Sequence, residues 1–280
     1  MNPTGSPPSV LVTGASTGIG LATVAAHVAA GFHVWATVRR AEDATALAAR
    51  FGSAVTTAIA DVTDSDAIAA LGDRIIAAGP LDALVNNAGI ALPSPLEYLP
   101  LDVLRRQLEV NVVGQLAVTQ AVLPALLASP SPRIVFIGSI SGRIAAPVLG
   151  AYAASKHAVA GLAGSLRAEL EPYGVQVALI EPGVIATPIW ERSTAAGDEV
   201  MASMPADSPR YAAQIASARR GAAVPGRGAP AEKVAAAVLH ATTARRSRPR
   251  VVVGRDARLI ALLVRVLPFR AVYRLVRGAA

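Results

Sequence analysis

The chain has no cysteine among its 280 residues, which excludes disulfides, thiolate-bound metal and a cysteine nucleophile and suits a reducing, cytoplasmic setting. Aromatic residues reach only 4% and charged residues only 16%, against 53% hydrophobic. An interior of Ala, Val, Leu and Ile is expected, the composition of a parallel sheet covered by helices. The histidines are few, and His27, His33, His157 and His240 lack metal-ligand spacing, so they read as structural or surface residues and no metal is expected. No uninterrupted apolar run reaches the roughly 18 residues of a spanning helix. Residues 1–9 lack the charged and apolar regions of a signal peptide and read as a loose arm. The formal charge of +7 comes without a stacking motif or zinc-finger spacing, so nucleic acid is not an expected partner.

What is present centres on Val10–Gly20, V-L-V-T-G-A-S-T-G-I-G. Apolar β-formers run into Gly14, Gly18 and Gly20, and a helical pattern begins at Leu21. A strand-to-helix turn of this kind cradles an anion: glycines permit the bend and close approach, and the helix N-terminus favours a phosphate. Thr17 could add a hydroxyl contact. Gly14-Ala15-Ser16-Thr17-Gly18 also fits the G-x-S-x-G nucleophile elbow of a serine hydrolase.

His33–Val38 reads as a second strand, with no Asp or Glu at its end to accept hydrogen bonds from an adenosine ribose. Arg39 and Arg40 stand there instead, two guanidiniums suited to the 2′-phosphate of NADP, so NADP(H) is expected ahead of NAD(H). The same pair also reads as a solvated basic turn. A helix over Ala41–Phe51 and a strand over Ala54–Ala60 lead to Asp61-Val62. Asp61, like Asp64, could cap the next helix, or it could hydrogen-bond an adenine amino group. A helix over Asp64–Ala78 and strand Asp82–Val85 lead to Asn86-Asn87-Ala88-Gly89, at the same sheet edge as the glycine loop.

Leu101–Leu127 is one long helical pattern carrying Asn111 among valines, an amide that must be satisfied or used. Arg133–Ile137 is a fifth strand ending near Ser139. The helix Ala151–Glu171 puts Tyr152 and Lys156 on one face. Val175–Ile180 is a sixth strand, closed by Glu181-Pro182-Gly183, with Ile185 and Thr187 beyond. Residues 188–230, holding Trp190, Met201, Met204, Tyr211 and Ile215, break the pattern and read as a substrate lid. A helix over Ala231–Ala244 and a seventh strand over Arg250–Val253 complete a single doubly wound α/β domain over residues 10–255, with helices on both sheet faces.

The spaced motifs T-G-A-S-T-G-I-G, Asp61-Val62, N-N-A-G, Asn111, Ser139, Y-A-A-S-K from Tyr152 and P-G-V-I-A-T from Pro182 resemble the short-chain dehydrogenase/reductase family, Rossmann-fold oxidoreductases, over roughly residues 9–255. The resemblance implies an Asn111–Ser139–Tyr152–Lys156 catalytic tetrad. It also implies cofactor contacts from Gly14, Gly18, Ile19, Gly20, Asp61, Val62, Asn87, Ile185 and Thr187, with Ser16, Thr17, Ala88, Gly89, Pro182 and Gly183 completing those motifs. A homodimer or homotetramer through the helices of Asn111 and Tyr152 is expected from the same likeness.

The residue types suit hydride transfer, which leaves an alkoxide to be protonated or requires an alcohol to be deprotonated. A phenol near pKa 10 is about three units too weak an acid to serve as base at neutral pH, roughly 4 kcal/mol, and the positive charge of Lys156 would favour its phenolate. Lys156 can also donate to the nicotinamide ribose, Ser139 to the substrate oxygen, and Asn111 can hold a water linking Lys156 to solvent. A hydrolase using Ser16 lacks an earlier loop for an oxyanion hole, and His240 lacks a suitable context. A non-catalytic cofactor sensor would be expected to lose Tyr152 or Lys156.

Ile90–Pro95, Ser141–Leu149 and the lid are mostly small and apolar, so a hydrophobic alcohol or ketone is expected as substrate. V-W-A-T-V-R-R is similar to family members acting on steroids or retinoids. Residues 256–280 form a basic amphipathic extension, apolar over Leu259–Leu267, broken by Pro268, with Arg258, Arg265, Arg270, Arg274 and Arg277 at near-helical intervals. It could lie on a membrane, cover the substrate mouth, or pack on its own domain or a neighbouring subunit.

Overall fold

A computed structural model describes residues 7–187, 189, 193, 197, 198, 200, 201, 209–222 and 228–278. Strands rich in Val and Ile alternate with helices rich in Ala and Leu. In order they are β1 (Ser9–Val12), α1 (Gly18–Ala29), β2 (His33–Val38), α2 (Ala41–Phe51), β3 (Val55–Ile59), α3 (Ser65–Ala78) and β4 (Ala83–Asn86). There follow α4 (Leu101–Leu108), α5 (Gly114–Leu127), β5 (Arg133–Ile137), α6 (Gly150–Leu170), β6 (Gln176–Pro182) and β7 (Ile185–Ala186). The remaining described elements are α7 (Ala212–Ala222), β8 (Ala229–Pro230), α8 (Ala231–Thr243), β9 (Arg250–Val253), α9 (Arg255–Val266) and α10 (Phe269–Gly278).

Seven parallel strands form one sheet in the order β3-β2-β1-β4-β5-β6-β9, and β7 pairs with β8 apart from it. The order reverses between β1 and β4, and the crevice outside the carboxyl ends there is where open α/β sheets bind ligands. Alternate residues of each strand feed opposite layers. Val10, Val12, Val85, Val135 and Ile180 join Val24 of α1 and Val234 and Val238 of α8. Leu11, Leu84, Ile134 and Phe136 join Ile75 of α3, Val122 of α5 and Val159 of α6. Phe136 is fully buried, and truncating such a side chain to alanine costs about 3–5 kcal/mol.

His27 is a core histidine: its Nδ1 meets the Thr23 carbonyl at 2.8 Å and its Nε2 meets Thr242 Oγ1 at 2.9 Å, tying α1 to α8. The arm ends earlier than the sequence suggests. Ser9 already pairs with His33 in β1, and its amide donates to Asp82 Oδ2 at 2.8 Å. The helix α1 opens at Gly18 rather than Leu21, so Ile19 and Gly20 lie in its first turn.

The pattern Leu101–Leu127 holds one departure. A π turn over Glu109–Val113, marked by a bond from the Gly114 amide to the Glu109 carbonyl, separates α4 from α5 and contains Asn111. The 27-residue stretch is long and apolar enough to cross a membrane by length and composition. Val118, Val122 and Leu126 are nevertheless fully buried in the core beside α3. Of the expected lid, α7 and Met201 are described, while Pro188, Trp190 and Met204 lie outside the described residues. The extension forms two helices that part at Leu267-Pro268.

Candidate active site

The glycine loop and the N-N-A-G segment form one interlocked unit. Thr13 Oγ1 accepts from the amides of Asn87 and Ala88, each at 2.9 Å, and Asn87 Nδ2 donates to the carbonyls of Thr13 at 2.8 Å and Gly14 at 3.1 Å. Asn87 therefore joins the two loops with its side chain. Gly14 has φ 64°, and a methyl group at Gly20 would collide with the Gly14 carbonyl and the Asn87 amide. Ile19 and Gly20 thus enter α1 against the loop itself. Thr17 makes no side-chain cap there, and the first turn holds no acidic residue. Ser16, Thr17 and Gly18 leave the leading amides of α1 open to an anion, and the cradle fits a pyrophosphate.

At the other end of the crevice Arg39, Asp61, Thr63, Ile90, Arg105 and Val110 line a cavity of about 390 Å³. Asp61 Oδ1 accepts from the Thr63 amide and hydroxyl at 3.0 and 2.9 Å, whereas Asp64 caps α3 through the amides of Asp66 and Ala67. The capping role thus falls to Asp64, and Asp61 faces the cavity. Arg40 differs from its neighbour. Its guanidinium forks on Asp43, with both bonds at 3.0 Å, and it is absent from the cavity wall. Of the two arginines expected to meet a 2′-phosphate, the structure turns only Arg39 toward the cavity. Val62 is buried, where a Cβ on Gly114 would strike it.

Asn111 is fully buried. Its Oδ1 accepts from the Ile90 amide at 2.8 Å, and its Nδ2 donates to the Ile90 carbonyl at 2.9 Å and to Ser155 Oγ at 3.0 Å. Both amide hydrogens of Asn111 are thus engaged within the protein. Gln107, one helical turn earlier, completes the clamp: its Nε2 donates to the Ile90 carbonyl at 2.6 Å and its Oε1 accepts from the Leu92 amide at 2.9 Å. Sequence reasoning missed Gln107, although two amides four apart in an apolar helix were the available signal. Gly89 sits against Asn111 Oδ1, and the Ala88 carbonyl accepts from Gln115 Nε2 at 3.0 Å.

Ser139, Tyr152 and Lys156 converge beyond β5. Ser139 Oγ accepts from the Ser141 amide at 3.1 Å and shares a side-chain hydrogen bond with the buried Tyr152. Lys156 Nζ donates to the Ile137 carbonyl at 2.8 Å and lies 5.6 Å from the centre of the Tyr152 ring. Burial pushes the Tyr152 phenol above its ordinary value, partly opposed by Ser139, and burial lowers the Lys156 ammonium to about 8. The expectation that Lys156 favours the phenolate is not met in the chain alone. Desolvation outweighs the hydrogen bond with Ser139, and Tyr152 stands as a protonated phenol. Lys156 has one acceptor and three N–H groups, so its remaining donors fit the hydroxyls of a nicotinamide ribose.

The segment after β6 is held from behind. The Gly183 amide donates to the Val253 carbonyl at 2.9 Å and the Val184 amide to Asp256 Oδ2 at 2.8 Å, so Pro182 and Gly183 are braced by β9 and α9. Ile185 is buried in β7, and Thr187 is half-buried at the end of the continuous described chain. Glu181, fully buried, accepts from Arg143 at 2.9 and 2.6 Å and from Arg250 Nε at 3.2 Å, with a further bond from Arg250 Nη2. Burial pushes its carboxyl up, but the two guanidiniums more than offset that and hold it below its ordinary value. The clamp was not legible beforehand, because its partners lie 38 and 69 residues away.

The family described as short chain dehydrogenase matches residues 8–197. The oxidoreductase YusZ of Bacillus subtilis (strain 168), itself uncharacterized, is 40% identical over 206 residues, 72% of this chain and 72% of that protein. An NADPH-dependent 3-dehydrocapnine reductase of Ornithobacterium rhinotracheale is 38% identical over 195 residues, 67% of this chain and 69% of its own. Among solved structures, a short chain dehydrogenase from Burkholderia cenocepacia J2315 in complex with NADP superposes with a TM-score of 0.77 at 26% identity, covering 97% of this chain and 98% of that one. With a nucleotide cradle at the switch point and a buried serine, phenol and ammonium beside it, the chain is an NAD(P)-dependent oxidoreductase acting on CH–OH groups and belongs to the short-chain dehydrogenase/reductase family.

Proposed function

We propose that this protein is an NADP(H)-dependent oxidoreductase that interconverts a hydrophobic secondary alcohol and its ketone, with Tyr152 as the acid/base. The observation that carries this reading is the Ser139–Tyr152–Lys156 cluster, in which the phenol is bonded to Ser139 and the ammonium lies against the same ring. The bound dinucleotide supplies or accepts the hydride at the carbinol carbon. The remaining work belongs to side chains. Ser139 orients the substrate oxygen, Tyr152 gives its proton to that oxygen as charge develops, and Lys156 steadies the resulting phenolate while fixing the cofactor ribose. Solvent then restores the proton through Lys156.

Support for NADP(H) comes from Arg39, which faces the adenosine end of the crevice where no acid from the end of β2 competes. The related capnine enzyme, named as NADPH-dependent, and the NADP complex point the same way. The test is a screen of hydrophobic ketones with NADPH and NADH, repeated on Tyr152→Phe. The expected outcome is NADPH consumption that falls by about 10²–10⁴-fold in the variant while nucleotide affinity persists. Undiminished turnover by Tyr152→Phe sinks the assignment of the proton donor, and a preference for NADH overturns the cofactor.

A further inference from the structure

A groove of about 700 Å³ lies on the substrate side of the molecule. One wall is the segment that begins at Ser139 and runs to α6, where Ala145, Ala146, Pro147 and Val148 line it. Pro95 and Leu96 from the loop before α4 form another. These walls are joined to each other, since the Ser94 amide donates to the Val148 carbonyl at 2.8 Å. Gly150, also in the lining, is two residues from Tyr152 on the first turn of α6. Val148 itself has φ 68°, a conformation that a β-branched residue rarely adopts and that costs about 1–3 kcal/mol. The chain thus holds a strained residue in place where the groove meets α6.

The outer rim is of a different character. Arg270, Tyr273 and Arg274 of α10 line it at positions i, i+3 and i+4, while Val272 on another side of that helix is buried. An amphipathic helix ordinarily points charge at open solvent. Here the basic face of α10 borders a cleft whose other walls are mostly apolar, with Glu97, Tyr211 and Gln214 as their polar members. Among the described residues the one carboxylate in the lining is already engaged: Glu97 accepts from Arg210 Nη2 at 2.7 Å and from the Tyr211 hydroxyl at 2.7 Å. Among the described residues neither Arg270 nor Arg274 has an acidic partner. The outcome is a largely apolar groove with two guanidiniums in its wall.

We propose that the substrate is an amphiphile, with a hydrophobic body along the Pro95–Leu96 and Ala145–Val148 walls and a terminal anion, carboxylate or phosphate, held by Arg270 and Arg274. This rests on the hydride-transfer reading of the site and narrows its substrate class. Guanidiniums pair with both anions through forked hydrogen bonds, and the apolar walls position the carbon chain that carries the carbonyl.

Two measurements test it. The first compares a medium-chain keto acid with its methyl ester as substrates for NADPH-dependent reduction, in the wild type and in Arg270→Gln/Arg274→Gln. The wild type is expected to favour the acid in kcat/KM by about tenfold, the size expected of two partly exposed charge-assisted contacts, with the ratio falling to near one in the double variant. A wild-type ratio near one, or a preference that survives both substitutions, overturns the proposal. The second needs no turnover: calorimetric binding of dodecanoate, dodecyl phosphate and dodecanol to the full chain. Tighter binding of an anion than of the alcohol, lost in the double variant, supports the anion site even if no ketone is reduced, and comparison of the two anions identifies the headgroup. Equal affinity for all three overturns it even if ketones are reduced.

Discussion

The ammonium of Lys156 donates to the carbonyl oxygen of Ile137 at 2.8 Å, so a strand end holds the cation 5.6 Å from the centre of the Tyr152 ring. Because burial lowers this ammonium to about 8, its charge is present below that pH and lost above it. Affinity for NADPH is therefore expected to be level through neutral pH and to weaken as pH rises past about 8. Fluorescence titration of NADPH across that range checks this, with Lys156→Met giving weak affinity and no inflection. Binding by the wild type that is indifferent to pH there removes the ammonium from cofactor recognition.

Arg39 and Arg40 are predicted to separate sharply. Arg39 lines the cavity beside Asp61, while Arg40 is forked on Asp43 at the exposed start of α2. Arg39→Ala should weaken NADPH by about tenfold or more, the loss of a charge-assisted phosphate contact, and leave NADH nearly unchanged. Arg40→Ala should alter neither. Paired KM measurements with both nucleotides read the difference.

Gly20→Ala is predicted to disable the cradle, since the new methyl group meets the Gly14 carbonyl and the Asn87 amide in a part of the chain with no slack. The expected outcome is loss of nucleotide binding together with a lower Tm. A variant that folds and binds NADPH like the wild type would falsify the tight packing of α1 on the loop.

Glu181→Gln removes the charge that Arg143 and Arg250 share. Breaking a buried pair costs about 3–5 kcal/mol, and solvent at the guanidiniums reduces this to an expected loss of about 2 kcal/mol in denaturant unfolding. The carboxyl sits below its ordinary value when folded, so its contribution is present above the unfolded carboxylate pKa and disappears as pH falls through the folded one. The wild type should lose stability through the acid range more steeply than the variant.

Strand and helix order was legible because each element carries its own period. β2, α2, β5 and β9 begin and end where the pattern of apolar residues does, and a parallel sheet follows from strands separated by helices. The pairing of Tyr152 with Lys156 was legible too, since the two are close in sequence on one helix. The π turn was not. An inserted residue within a helix leaves the hydrophobic pattern almost intact, so Leu101–Leu127 reads as one rod although Asn111 sits at its distortion.

The sequence by itself determined the layers, the glycine turn and the pairing of Tyr152 with Lys156 on one helix face, because these depend on local conformational preference and on residue chemistry at short spacing. Only the tertiary structure decided that Arg39 rather than Arg40 lines the cavity beside Asp61, that Asn87 and Asn111 bind loops with their side chains, that Glu181 is clamped from two distant segments, and that the basic face of α10 borders the groove of Pro95–Leu96 and Ala145–Val148. Each of these turns on which way a side chain points and on partners remote along the chain. Those are settled by packing between elements, and no local pattern encodes them.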